Sequence, residues 1–254
     1  MNAIQIANEL FESNKFQTHK QLEAKLDAIK AELKIRVDEN DEMRKEFILQ
    51  DVVCKYTREK VYDVDNAGLN DFLHQYGLLI HSAKLSTKDK EVLSKIEEFK
   101  EEKTSHLRIY AKVEKEEYDF SKYEIFQLVD EFNKANAQFK KLSRQIKEAK
   151  EKMMECEDLK KERKQTFKFG SFGLVYNKDS YDIQGIYNKF GVDFIIENTT
   201  PSMEKVNQFI EEGFITKKEL NQFRKMRDII LKFIVISLSD EKMIFNIMNN
   251  KRIA

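Results

Sequence analysis

The longest regular pattern in this chain lies between Ile125 and Cys156. At alternating steps of three and four stand Ile125, Leu128, Phe132, Ala135, Phe139, Leu142, Ile146, Ala149, Met153 and Cys156, with mostly Lys, Glu, Gln, Asn and Arg between them. A seven-residue apolar repeat keeps one seam of a helix facing one partner over many turns. The spacing predicts a coiled-coil helix roughly 48 Å long at 1.5 Å per residue, and that seam needs another long helix beside it.

Two further seams read the same way. Leu22, Leu26, Ile29 and Leu33 predict a helix from Thr18 to Asp51, interrupted by Arg36 and Asn40 before Met43 and Phe47 resume the stripe. Polar residues at seam positions either set register and partner or mark simple exposure. Val92, Ile96, Phe99, Lys103, His106, Tyr110 and Val113 form a less pure seam behind a Ser86 or Thr87 cap. Ser121 with Glu124 reads as the capping box that opens the main rod.

Elsewhere the period changes. Val52 to Asp65 is rich in β-branched and aromatic residues and predicts one or two strands. Leu69 to Tyr76 is a short helix closed by Gly77. Thr166 to Tyr176 alternates aromatics with glycine, as a hairpin does. Ile183 to Phe190 is a second short helix closed by Gly191, followed by an apolar strand from Val192 to Ile196. Ser202 caps a helix that ends at Gly213, and Thr216 to Met226 continues helically. Ile229 to Leu238 and Met243 to Met248 form either a terminal hairpin around Ser239–Glu241 or an apolar helix. Leu73 to Leu78 corresponds to Tyr187 to Val192 at an offset of 114, so the two inserts read as a candidate repeat. The expected fold is mainly α: long coiled-coil helices carrying two small α+β inserts. Its segments are rod helices (1–51), a first insert (52–85), a coiled-coil hairpin or rod (86–164), a second insert (165–213), and a helix with an apolar tail (214–254).

Composition sharpens this. Seven glycines, one proline and 35% charged residues favour long helices. Lys plus Arg and Asp plus Glu both number 45, which removes any global pull toward nucleic acid. Cys54 and Cys156 read as small buried hydrophobes of a reducing compartment, with a disulfide between them as the alternative. No segment reads as a signal peptide or a membrane span, so a cytoplasmic protein is expected. His19, His74, His81 and His106 lack metal-ligand spacing, and no phosphate-cradling loop or nucleophile motif occurs. The reading is therefore of a non-enzyme, with no catalytic residue, metal, cofactor or small-molecule substrate.

Charge is asymmetric in one place. From Lys140 to Lys168 eleven basic residues face six acidic ones, and aromatics follow at once. Lys140, Lys141, Arg144, Lys147, Lys160, Lys161, Arg163, Lys164 and Lys168, with Phe169 and Phe172, are the candidate DNA-binding residues. Cations neutralise phosphates, and aromatics stack on exposed bases. The competing reading is a solvated helix face with ordinary Glu–Lys pairs.

Phe169-Gly170-Ser171-Phe172, then Ile186-Tyr187-Asn188-Lys189-Phe190-Gly191-Val192-Asp193-Phe194-Ile195, then Met203-Glu204-Lys205-Val206, resemble the C-terminal part of the Gam family of phage host-nuclease inhibitors. There too a long coiled coil runs into a β-hairpin, a Gly-closed helix and an apolar strand. With the rod included, the likeness covers about 90 residues and is architectural. This chain adds an N-terminal rod and insert and an apolar tail. The resemblance implies a homodimeric clamp on double-stranded DNA ends that blocks nucleases in a bacterial cytoplasm. The alternative is a phage anti-defence or assembly factor that holds a host defence or nuclease protein without touching DNA.

Overall fold

The computed structural model describes residues 2–114 and 116–253, those from 247 onward by their backbone alone. In chain order the elements are α1 (Ala3–Glu12), α2 (Lys15–Asp38), β1 (Arg44–Phe47), β2 (Val52–Val64), α3 (Asn66–Gln75), α4 (Leu79–Ser82), β3 (Ala83–Leu85), α5 (Lys90–Lys95) and β4 (Ser105–Ala111). They continue with α6 (Ile125–Glu155), α7 (Glu157–Lys161), β5 (Lys164–Phe167), β6 (Gly170–Tyr176), α8 (Ile183–Asn198), β7 (Thr199–Pro201), α9 (Met203–Glu211), α10 (Lys217–Leu220), β8 (Arg224–Ser237) and α11 (Leu238–Ile253).

This corrects the expected fold class. The chain is 56% helical and 23% strand in three sheets, an α+β protein and not mainly long coiled-coil helices. Among the described residues only α2 and α6 exceed 20 residues. The helix expected to reach Asp51 stops at Asp38, and Arg36 and Asn40 mark its exit: the Asn40 amide donates back to the Arg36 carbonyl at 2.6 Å. The third seam does not exist. Its second half is β4, where Leu107 is buried while His106, Arg108 and Tyr110 are exposed, a period of two. Glu124, not Ser121, caps α6, with Gln127 completing the capping box. The tail is strand β8 followed by helix α11; the side chain of Met248 lies outside the described residues.

Contacts divide the chain into two discontinuous units, 1–57 with 105–176 and 231–254, and 58–104 with 177–230. In the first, α2 and α6 run antiparallel. Lys25 meets Glu131 at 2.7 Å, His19 meets Ser143 at 2.8 Å, and Arg36 donates to the Ser121 carbonyl at 2.7 Å, so partner numbers rise along one helix as they fall along the other. A three-stranded sheet packs at each end of this pair. The sheet ordered β1-β2-β8 buries Phe47, Val52, Cys54 and Val235 with Leu26, Ile29, Leu33, Leu128 and Phe132. The sheet ordered β4-β6-β5 buries Leu107, Phe167 and Phe172 with Ile146, Met153, Leu159 and the apolar face of α1. Each sheet draws its hairpin from one half of the chain and its third strand from the other.

The second unit repeats this logic in miniature. Asp65 caps α3 by accepting from the Gly68 N–H at 3.0 Å, and Asp182 caps α8 by accepting from the Gly185 N–H at the same distance. A glycine at positive φ (Gly77, +70°; Gly191, +84°) breaks each helix. The next short helical turns lead to β3 and β7, which pair antiparallel about Lys84↔Thr200. Reciprocal bonds flank the pair, Ser86 N–H to Asn198 O and Ser202 N–H to Ser82 O. Each copy ends in a 3-10 turn whose last residue accepts from the other copy's cap: Asp65 N–H to Phe223 O and Asp182 N–H to Phe99 O, both 2.8 Å. Residues 15–111 and 125–237 thus share an order of long helix, hairpin, glycine-broken helix, short strand, helix, 3-10 turn and strand, to which the second stretch adds α7 and a further short helix, α10. The offset of 114 joins only the closing glycines, because the helices before and after them differ in length.

Candidate nucleic-acid interface

The outer face of the β4-β6-β5 sheet is built by alternation. On β6, Phe172 is fully buried; Gly173, on the opposite side, is covered too, with the Arg163 carbonyl and Lys164 against it, while Ser171 and Val175 on that side are half-buried. On β4 the outward residues are His106, Arg108 and Tyr110; on β5 they are Lys164 and Thr166. The register sets Arg108 opposite Gly173 and Lys164 opposite the same glycine from the other side. Two cations therefore flank a residue with no side chain. A Cβ there would lie 2.9 Å from the Arg163 carbonyl, so the close approach of β5 requires glycine. These three strands contain no Asp or Glu, in a chain with 45.

Aromatic rings lie beneath several of the cations. The Arg108 guanidinium sits 5.3 Å from the Tyr110 ring centroid, Arg163 sits 4.6 Å from Tyr176, and the Lys168 ammonium sits 5.2 Å from Phe169. A shallow trough of about 800 Å³ runs along Arg108, Tyr110, Lys112, Lys168 and Phe169. Among the described residues Arg108, Lys112 and Lys164 have no carboxylate partner, while Lys168 is paired with Glu12 at 3.9 Å. The face therefore carries uncompensated positive charge.

The expected DNA-binding residues separate into four groups. Lys140, Lys141, Arg144 and Lys147 are exposed on α6; Lys140 lies 3.6 Å from Asp240, and Arg144 and Lys147 lie 4.0 and 3.9 Å from Glu148 and Glu151. That is the ordinary pairing of a solvated helix. Lys160 and Lys161 are on α7, Lys160 paired with Glu157 at 3.0 Å. Arg163, Lys164, Lys168 and Phe169 reach the sheet. Phe169 is half-buried against Phe11 at 5.5 Å, and Phe172 is core, so Phe172 is removed from the candidate interface. Of the coiled-coil seam, Leu128 and Phe132 are buried against α2, with Ile125, Phe139 and Leu142 half-buried at its edge. Ile146 and Met153 instead join the cluster beneath the second sheet.

Arg108, Tyr110 and Lys112 are the residues that the helical reading missed. Their signal is the alternation His106-Leu107-Arg108-Ile109-Tyr110, which matches a strand and not a heptad. Cys54 and Cys156 are free thiols, and burial pushes the Cys54 thiol up to about 12. Among the described residues no group of His, Cys, Asp and Glu is placed to hold a metal, and no helix is long and apolar enough to cross a membrane. Comparisons with protein-family models, with curated proteins and with solved structures found no match.

Proposed function

We propose that this protein is a non-enzymatic nucleic-acid-binding protein that grips duplex DNA through the outer face of the β4-β6-β5 sheet. The supporting observation is the carboxylate-free sheet face, on which Arg108 and Lys164 flank Gly173 beside the Tyr110 ring. Unpaired cations release counterions when they meet phosphates. Tyr110 and Phe169 offer rings on which a frayed base can stack. Occupation of double-stranded DNA ends, with exclusion of nucleases, is the finer form of this reading and draws on the Gam-like resemblance. The α6 stripe from Lys140 to Lys147 plays the lesser part, because its charges already have carboxylates beside them.

Binding to fluorescent linear and circular duplexes across a salt series tests it. The expected result is affinity that falls steeply with salt and drops by about tenfold or more in the double variant Arg108→Glu/Lys164→Glu. Preference for linear over circular duplex supports the end-binding form. No binding at low salt sinks the proposal.

A further inference from the structure

The repeated element order gives the open sheet face a twin. Arg44 begins β1 as Lys164 begins β5; Arg44 pairs across to Lys55 and Lys164 pairs across to Gly173. Both hairpins thus open on an outward cation. The twin face is not open. After β8 the chain continues into α11, and Glu241 reaches back over the β1-β2-β8 sheet. Its two oxygens accept from the Arg44 guanidinium at 2.7 and 2.8 Å, and the same carboxylate takes the Lys55 ammonium. An anion held by both arms of an arginine with a lysine alongside is how proteins hold tetrahedral phosphate as well as planar carboxylate. Glu46 also bonds Arg44, at 2.7 Å, and leaves Lys55 to Glu241.

The grip of α11 is local. At its start, Leu238 N–H donates to Asp51 O at 3.1 Å, and Ser239 donates to the Asp51 carboxylate through N–H at 3.0 Å and Oγ at 2.7 Å. Leu238 is buried, but Met243, Ile244 and Phe245 are 56%, 50% and 61% exposed. An open groove of about 690 Å³ remains between helix and sheet, lined by Arg44, Lys55, Ile48 and Phe245. Among the described side chains, the contacts that hold α11 over the sheet are the Glu241 carboxylate, the Asp51–Ser239 hinge and the buried Leu238.

We propose that the outer face of the β1-β2-β8 sheet is a second phosphate-binding face, with the nucleic-acid backbone as its ligand, and that α11 is a displaceable strap whose Glu241 occupies the phosphate position on Arg44 and Lys55. The inference rests on the nucleic-acid reading of the open face. Phosphate and Glu241 compete for the same donors, so the second face engages only when the strap lifts.

The test compares the full chain, Glu241→Gln, Glu241→Gln/Arg44→Ala and Arg108→Glu/Lys164→Glu on a labelled 30-base-pair duplex over a salt series. Glu241→Gln is expected to tighten binding several-fold and to steepen the salt slope by about one to two phosphates' worth, and Arg44→Ala is expected to cancel that gain. Hydrogen exchange in the wild-type chain is expected to speed up over residues 238–246 when duplex is added, a readout that needs no variant. Wild-type binding that Arg108→Glu/Lys164→Glu removes, with affinity, slope and exchange unmoved by the Glu241 change or by duplex, overturns the strap alone. No binding by any protein, Glu241→Gln included, overturns the open-face reading and the strap together.

Discussion

The two sheets of the first unit share an order of strands and differ in what fills equivalent positions. Under β1-β2-β8 the inward residue of the hairpin's second strand is Cys54; under β4-β6-β5 it is Phe172. Outward, the first presents Lys55 beneath a carboxylate, and the second presents Gly173 between two cations. Where the core is filled by a large ring, the surface is bare and charged. Where the core residue is small, a following helix covers the surface. Duplicated architecture constrains which backbone groups pair. It does not constrain which face is covered, and that depends on what the chain does next: β4 leads away to α6, while β8 turns back as α11.

Substitution at the equivalent core positions breaks the comparison most sharply. Phe172→Ala removes a fully buried ring beside Phe167 and is expected to cost about 3–5 kcal/mol. Cys54→Ala removes one sulfur and is expected to cost roughly 1 kcal/mol. Urea unfolding of both variants measures the pair, and equal losses would show that the two cores bear load alike. A smaller effect is expected at the outward centre. Gly173→Ala crowds the Arg163 carbonyl and is expected to cost about 1–3 kcal/mol, and unchanged stability would mean that β5 can yield. The smallest is a pH effect on the covered face. Arg44 and then Lys55 draw the Glu241 carboxyl from 4.5 down to about 2. A lowered carboxyl stabilises above its unfolded value, so this contribution is complete above 4.5 and fades as pH falls toward 2. The stability difference between wild type and Glu241→Gln should therefore shrink between pH 5 and pH 3; a constant difference contradicts it.

The main helix was legible almost to the residue, ending at Glu155 where the seam ran to Cys156, because its apolar stripe is buried against α2, α1 and the sheets. β4 was not. His106, Tyr110 and Val113 fall by chance on a helical spacing, and only Leu107 is buried deeply enough to reveal the true period. α2 was overextended because Met43 and Phe47 continue its stripe across a turn that Asp41, at φ 53°, makes with no glycine to announce it. The repeat was half visible: Gly77 and Gly191 matched, while Asp65-x-x-Gly68 and Asp182-x-x-Gly185 escaped because unequal helices shift their spacing. The candidate interface was legible in the sequence only where its charges lie close together along the chain. Arg108 and Lys164 stand on either side of β6, and a linear reading does not bring strands together.

The crosswise sourcing of strands governs how the molecule is made. During synthesis the hairpin completed at Val64 has no third strand until Arg224 to Ser237 leaves the ribosome, so one flank of β2 waits unzipped through most of translation. The same geometry lets a neighbouring chain's late strand fill the vacancy, which makes interlocked pairs the natural misassembly of this protein when many copies refold side by side.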